Sequence, residues 1–406
     1  VSSRRQRFAE RRKACGLSQE EFAEAVGVDR STVQRWETGK NGPQPWQRPR
    51  IAKVLAVTAN ELDALLVPDA YAPPRPPRGW LAAVPTDGDD EFDALELARR
   101  VSASDVGKET LRRLETSFDG LATAYPVSPP QALLQRVRRH AAYVSHLMDA
   151  RMTLAEQRRL HVVGGWFQLL GATLHIDLNQ QHAATARLRA AATFAQHAEH
   201  REIEAWCYET DAWRVLTEGE YGRALELSRI AQDLAPAGSS VAIQATAQEG
   251  RASARLGEGP GTYGAIDRVQ RMSGKLTPRK GTEHHYQYDP GKALAYTATT
   301  LAWAGDPAAE RCAREVIARL APADDVEKWP RRVASATIDL ALALLDGDRL
   351  DEACDAARRA ILSGRIVPSN HWRALEVVKA VETRRLPEAP DLREAYQGLR
   401  ALTANG

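Results

Sequence analysis

The chain has 406 residues, 43% of them hydrophobic and 27% charged, with a formal net charge of +2. That length exceeds what one hydrophobic core serves, so two or more domains, or a repeat array, are expected. The near-neutral balance excludes a chain-wide polycation, yet the charge is unevenly placed: residues 1–53 carry 12 Lys/Arg against 6 Asp/Glu, leaving 43 against 47 in the rest. A small basic head on a slightly acidic body suggests a nucleic-acid module joined to a body with another task.

The head reads as five helices. RRQRFAERRKAC is stopped by Gly16. Ser18 then fits an N-cap, with Glu21 three residues later to complete a capping box. This opens QEEFAEAV, whose inner face is Phe22, Ala23 and Val26, and Gly27 breaks it. Asp29 caps a third helix, RSTVQRWET, with Val33 and Trp36 buried and Gly39 at its end. A fourth helix around RIAKVLA and a fifth, ELDALL, supply Ile51, Val54, Leu55, Leu62, Leu65 and Leu66 to the core. Ala23 permits a close helix crossing and Gly27 the tight turn after it, the pattern of a helix-turn-helix.

GLSQEEFAEAVGVDRSTVQRWETGK resembles the XRE family of Cro and phage-repressor type over roughly residues 4–66. It departs at Phe22, where Leu is usual, and in the loop NGPQPWQRP. The resemblance implies a sequence-specific DNA-binding domain acting as a dimer on a palindromic double-stranded operator. It places Gln19 on a phosphate at a helix N-terminus. It places Arg30, Ser31 and Arg35 at base edges, with both arginines suited to bidentate contact with guanine. Thr32 and Gln34 become phosphate or secondary contacts, and Lys40, Asn41 and Gln44 meet the opposite backbone. Arg12 and Glu37 match a structural ion pair. Arg4, Arg5 and Arg7 read either as a solvated basic tail or as help with phosphate. The domain is expected over residues 1–67.

PDAYAPPRPPRG (68–79) and PTDGDD (85–90) mark a Pro-rich linker over residues 68–90. Residues 91–406 then read as helix nearly throughout, broken at YPVSPP, GEGPG, GKLTPRKGTEHH and LAPADD. The most apolar stretch, VVGGWFQLLGATLHI (162–176), is too short for a membrane span and contains Gln168 and His175; a buried helix is the reading. The N-terminal VSSRRQRF has no apolar core, so no secretory signal is expected. Cys15, Cys207, Cys312 and Cys354 are far apart and form no CxxC pair. They read as small buried side chains in a reducing cytoplasm rather than as a disulfide or zinc framework.

Segments 219–236, 347–362 and 179–192 share a turn residue followed by alanines seven apart, and 305–322 repeats the spacing of the first, with Gly305 and Pro322 matching Gly219 and Pro236. Ala224 and Ala231, Ala353 and Ala360, and Ala184 and Ala191 are such pairs, and they allow antiparallel helices to pack closely. This resembles the tetratricopeptide repeat, with an irregular period between 236 and 291 and before 165. The fold class expected is all-α: a five-helix repressor-type helix-turn-helix domain followed by a TPR-like α-solenoid.

Applied to this body, the TPR pattern puts Trp206, Glu209 and Trp213 on a concave face, with Lys292, Ala295 and Thr299 on another unit and Trp303 one turn on. It adds Trp166, Leu169 and Thr173 on a third. Tryptophans at such positions suggest a groove for a peptide or small-molecule effector. In EHHYQYDP (283–290), the adjacent His284 and His285 would point apart on a helix and make a poor metal pair. No hydrolase, zincin, Walker or Rossmann fingerprint is present, so neither catalysis nor a cofactor is expected. The reading is a cytoplasmic, homodimeric transcriptional regulator with a ligand-sensing body; the alternative is a TPR scaffold recruiting a protein partner to DNA.

Overall fold

A computed structural model describes residues 5–67, 104–276, 283–320 and 330–404. The chain divides into two compact units, residues 1–90 and 91–406. The expected linker lies outside the described residues, as does the break at LAPADD apart from its first residue. The described residues are helical with no strand, so the all-α expectation holds.

The first unit holds α1 (Gln6–Ala14), α2 (Gln19–Val26), α3 (Arg30–Glu37), α4 (Arg48–Val54) and α5 (Ala59–Leu65). Its core joins Phe8, Phe22, Ala23, Val26, Val33, Trp36, Ile51, Leu55, Leu62 and Leu66. Val54 and Leu65, expected inside, are only partly buried against it. Phe22 meets Phe8 edge-to-face, with ring centroids 5.9 Å apart. The larger residue at position 22 thus has a partner on α1 that the sequence pattern did not single out. The capping box at Ser18 forms as expected, and a second, at Thr58 and Glu61, opens α5.

The second unit is a run of antiparallel helix pairs. It begins with α6 (Lys108–Ala124) and α7 (Pro130–Leu147). Then come α8 (Leu154–Asp177) with α9 (Gln181–His197), α10 (Arg201–Thr217) with α11 (Tyr221–Leu234), and α12 (Ser240–Arg255) with α13 (Gly259–Ser273). The run ends with α14 (Pro290–Trp303) and α15 (Ala308–Leu320), α16 (Pro330–Asp346) and α17 (Leu350–Leu362), and α18 (His371–Thr383) and α19 (Ala389–Ala404). A 3-10 turn, Pro368–Asn370, precedes α18.

Small residues set the spacing of the pairs. Ala184, Ala191, Ala224, Ala231, Ala353 and Ala360 are all buried. Gly219 turns the chain between α10 and α11 at φ 86°, which a side chain would strain. The irregular period between 236 and 291 conceals a regular pair. There α12 and α13 approach through Gly250 and Ala265, where a Cβ on Gly250 would come within 3.1 Å of the alanine methyl. The stretch 162–176 lies inside α8, and among the described residues no helix is long and apolar enough to cross a membrane.

Alternate helices α10, α12, α14, α16 and α18 carry a polar ladder. Gln244 Nε2 on α12 donates to Glu209 Oε1 on α10 at 3.0 Å and to Tyr296 Oη on α14 at 2.8 Å. Thr299 Oγ1 on α14 donates to Asp339 Oδ2 on α16 at 2.7 Å, and Arg373 on α18 donates to the other oxygen of Asp339. The array also curls back on itself. Arg255 at the end of α12 makes a bidentate pair with Glu376 of α18, both bonds 2.7 Å. Arg331 at the start of α16 reaches Asp177 at the end of α8 at 3.0 Å. A curved stack tied in this way bounds a cavity.

Candidate functional site

The first candidate surface is the outer side of α3. Gly27 ends α2 in the left-handed region at φ 82°, and its amide bonds back to Ala23. Asp29 occupies the N-cap position of α3 with extended backbone, but its side chain makes no capping bond; the expected cap is positional only. Val33 and Trp36 face inward, and Arg30, Ser31, Gln34 and Arg35 are exposed on the other side with Thr32 half-buried. Lys40, Asn41 and Gln44 are exposed in the following loop. The nine residues expected at DNA therefore lie on or beside one helix face, apart from Gln19 at the start of α2.

Three of these positions carry contacts that the sequence did not reveal. Gln19 is half-buried and donates its amide to Glu37 Oε2 at 2.6 Å. The other oxygen of Glu37 takes Arg12 Nε at 2.7 Å, so the expected ion pair is present and Gln19 is its third member. Arg30 pairs with Glu20 at 2.8 Å while both stay more than half exposed. Asn41 offers its carbonyl to Arg5 Nη1 at 2.9 Å, and Arg5 also donates to Trp36 O at 3.2 Å. Arg5 is therefore a strut that holds the end of α3, not a solvated tail; Arg4 lies outside the described residues.

Two helices meeting at a left-handed glycine, with the second presenting an exposed polar face, are the working parts of a DNA reader. Residues 5–65 match the family model for the helix-turn-helix domain. This head is a helix-turn-helix DNA-binding domain. No curated protein matches the chain. Within the helix-turn-helix domain, Arg50 Nε caps the Ala25 carbonyl at 2.9 Å, and Arg11 caps the carbonyls of Leu55 and Ala56 at 3.0 and 2.9 Å. Part of the head's basic charge therefore terminates helices and is not available to phosphate.

The second candidate is a cavity of about 190 Å³ on the inner face of the second unit. Trp206, Glu209, Trp213 and Lys292 line it, with Ala295, Thr299 and Thr173. Three other expected residues do not. Trp166 is packed between Phe118 and Tyr286, at centroid distances of 5.4 and 5.1 Å. Trp303 is buried against Trp372, at a centroid distance of 5.7 Å. Leu169 is fully buried in the core beneath α8. Trp166 and Leu169 lie on the 24-residue α8, where neighbours cover positions that a shorter helix would expose.

Apart from Pro290, which opens α14, the EHHYQYDP stretch does not form a helix; it runs as an extended turn into the inner face. Tyr286 is buried against Trp206 and shares a hydrogen bond with Thr173 Oγ1 at 3.1 Å. His285 packs 4.1 Å from Tyr125 and lines the cavity, while His284 lies 3.5 Å from Asp119. Burial first, then the charge of Lys292, holds the His285 pKa well below the usual histidine value. Lys292 donates to the carbonyls of His285 and Gln287, anchoring the stretch to α14.

The cavity is rich in charge. Arg251, Lys292, Arg331, Arg332, Arg365 and Arg373 line it against Asp177, Glu209, Glu283 and Asp339, so cations exceed carboxylates by two. Most are paired: Arg331 with Asp177, Arg332 with Glu283, Arg373 with Asp339, and Lys292 3.8 Å from Glu283. Glu209 is bonded to Gln244 and, chiefly through burial, its pKa is pushed up to about 7. Burial likewise lowers Lys292 to about 8.

Arg251 is not legible in the sequence because it falls where the period is irregular, between residues 236 and 291, and Arg332, Asp339 and Arg373 lie on helices to which no repeat positions were assigned. A signal is nevertheless present: Gln244, Gln248, Arg251 and Arg255 recur at four, three and four along one helix, a polar stripe. Gln244, Gln248 and Arg251 are buried, so the stripe faces inward.

Proposed function

We propose that the chain is an XRE-type transcriptional regulator that binds an operator as a homodimer and adjusts its DNA affinity to a signal held in its TPR-like body. The observation that carries the reading is the pairing in one chain of a helix-turn-helix domain with a helical array whose inner face bounds a charged cavity. Arg30, Ser31 and Arg35 would read base edges, and Gln19, Lys40, Asn41 and Gln44 would hold the backbone. The body would supply the dimer contact and the signal site. Coupling requires only that the effector prefer one dimer arrangement over the other.

Genome-wide binding-site mapping with wild type and Arg35→Ala tests the DNA half. The expected result is a shared palindromic motif for wild type and loss of preference at one base pair per half-site for the variant. An unchanged motif would remove Arg35 from base readout. Sedimentation of the full chain at micromolar concentration tests the dimer, and a monomer there would count against it.

A further inference from the structure

Three guanidinium groups surround the Trp303 indole, and two of them, Arg251 and Arg373, line the cavity. Arg255, Arg251 and Arg373 stand 4.3, 5.0 and 5.3 Å from the centre of the Trp303 ring. Like charges gathered this closely repel unless each is compensated. Arg255 has the bidentate carboxylate of Glu376, and Arg373 has Asp339. Arg251 has neither: among the described residues no carboxylate lies within ion-pair distance of it. It is only 7% exposed. Its Nη1 donates to the neutral amide oxygen of Gln248 at 3.0 Å, and its Nε is buried with no acceptor. Its ring contacts, Tyr296 at 5.1 Å and Trp303, offset part of the charge but supply no acceptor.

The nearby carboxylates are already engaged. Asp339 gives one oxygen to Arg373 and the other to Thr299. Glu209 is bonded to Gln244. A buried guanidinium that lines a cavity and lacks a counter-ion is an incomplete ion pair. The same cavity also offers an unclaimed aromatic face. Trp213 is half-buried on its wall and makes no ring contact with any described residue, whereas Trp206 beside it is packed on Tyr286. Ile338, Ile366 and Val367 add apolar surface. A volume of about 190 Å³ is close to the ~150 Å³ at which an apolar cavity takes benzene.

We infer that this cavity binds a small oxyanion, a carboxylate or phosphate monoester carried on an apolar body of about one aromatic ring, with the anion on Arg251 and the ring against Trp213. The inference rests on the proposed sensing role and narrows its effector to a small molecule. The anion completes the pair that Arg251 lacks, and the ring covers the indole.

The test uses the full chain, titrated with benzoate, phenylacetate and phenyl phosphate against benzamide and phenylacetamide, and read by quenching of tryptophan fluorescence and by calorimetry. At least one anion is expected to saturate below millimolar concentration and to bind about tenfold or more tighter than its neutral counterpart. The order among the three anions distinguishes carboxylate from phosphate. Arg251→Met should erase the preference for anions while leaving the melting temperature unchanged or raised. Arg365→Gln should retain the preference. No saturation by any anion, equal binding of amides, or a preference that survives in Arg251→Met would each overturn the assignment. DNA affinity measured with and without the bound anion separates the two readings. An anion that binds through Arg251 but leaves operator affinity unchanged removes the sensing role and keeps the site. Operator affinity that responds to a cell extract while no anion binds does the reverse.

Discussion

Gln19 donates its amide to Glu37 Oε2 at 2.6 Å, on the carboxylate whose other oxygen holds Arg12 at 2.7 Å. One side chain at the end of α3 thus fixes both α1 and the start of α2. Arg12 is buried, so removing its partner leaves an uncompensated charge. Glu37→Ala is expected to destabilise the head by about 3 kcal/mol. Gln19→Ala removes one hydrogen bond to a charged group, and its cost is about 1.5 kcal/mol. Amide hydrogen exchange over α1 to α3 measures both. Equal losses from the two variants would mean that Arg12 finds another acceptor.

Arg30 enters an exposed pair with Glu20, and such pairs contribute little to stability. Glu20→Gln should therefore leave unfolding within about 0.5 kcal/mol of wild type. It frees Arg30 and removes a negative charge beside the DNA, so operator affinity should rise several-fold. Lys40→Ala is expected to weaken all sequences alike and to reduce the salt slope of log K by about 1. Fluorescence anisotropy over a salt series checks both. A Lys40→Ala effect confined to one sequence would place that side chain at a base.

The head was legible because its signals are local. Ser18 with Glu21, Ala23 with Gly27, and Val33 with Trp36 each lie within a few residues, and each has one physical reading. Contacts that join distant residues left no such trace. Arg5 on the carbonyls of Trp36 and Asn41, and Phe8 on Phe22, depend on how helices meet. In the body, Trp206, Glu209, Trp213 and Lys292 were found because their repeats keep register. Trp166 is covered by Tyr286 of the 283–289 stretch and Trp303 by Trp372 of α18, contacts between residues far apart in sequence. The Arg251 environment draws on α12, α14 and α18, and no window of sequence contains it.

Two helical glycines should respond oppositely to alanine. Gly120 on α6 is exposed, and an added Cβ there meets nothing within 4 Å. Gly120→Ala should stabilise by about 0.5–1 kcal/mol, the helix preference alone. Gly164 on α8 is buried, and a Cβ would sit 3.0 Å from the Phe194 ring and 3.2 Å from Val144. Gly164→Ala should destabilise by about 1–2 kcal/mol, because overpacking outweighs the helix gain. Chemical denaturation of the two variants compares them directly. A stabilised Gly164→Ala would show that Phe194 can move aside without cost.

Glu209 makes the body's stability depend on pH. Its carboxyl is pushed from 4.5 to about 7, chiefly by burial, against the opposing pull of Gln244, Arg251, Lys292 and Thr210. Below pH 4.5 the residue is protonated in folded and unfolded chains alike and contributes no difference. Between 4.5 and about 7 the unfolded chain ionises first, so stability falls as pH rises. Above about 7 both states are ionised and the loss levels off at about 3 kcal/mol, since a tenfold change in proton affinity is worth about 1.4 kcal/mol. Glu209→Gln keeps an oxygen for the Gln244 amide and cannot ionise. It should remove this descent and leave the body more stable than wild type above neutrality. Guanidinium unfolding followed from about pH 4 to 9, with Lys292 and His285 unchanged in both proteins, isolates the contribution. Parallel curves for the two proteins would mean that Glu209 titrates alike in the folded and unfolded chains, the pull of Gln244, Arg251 and Lys292 then fully offsetting its burial.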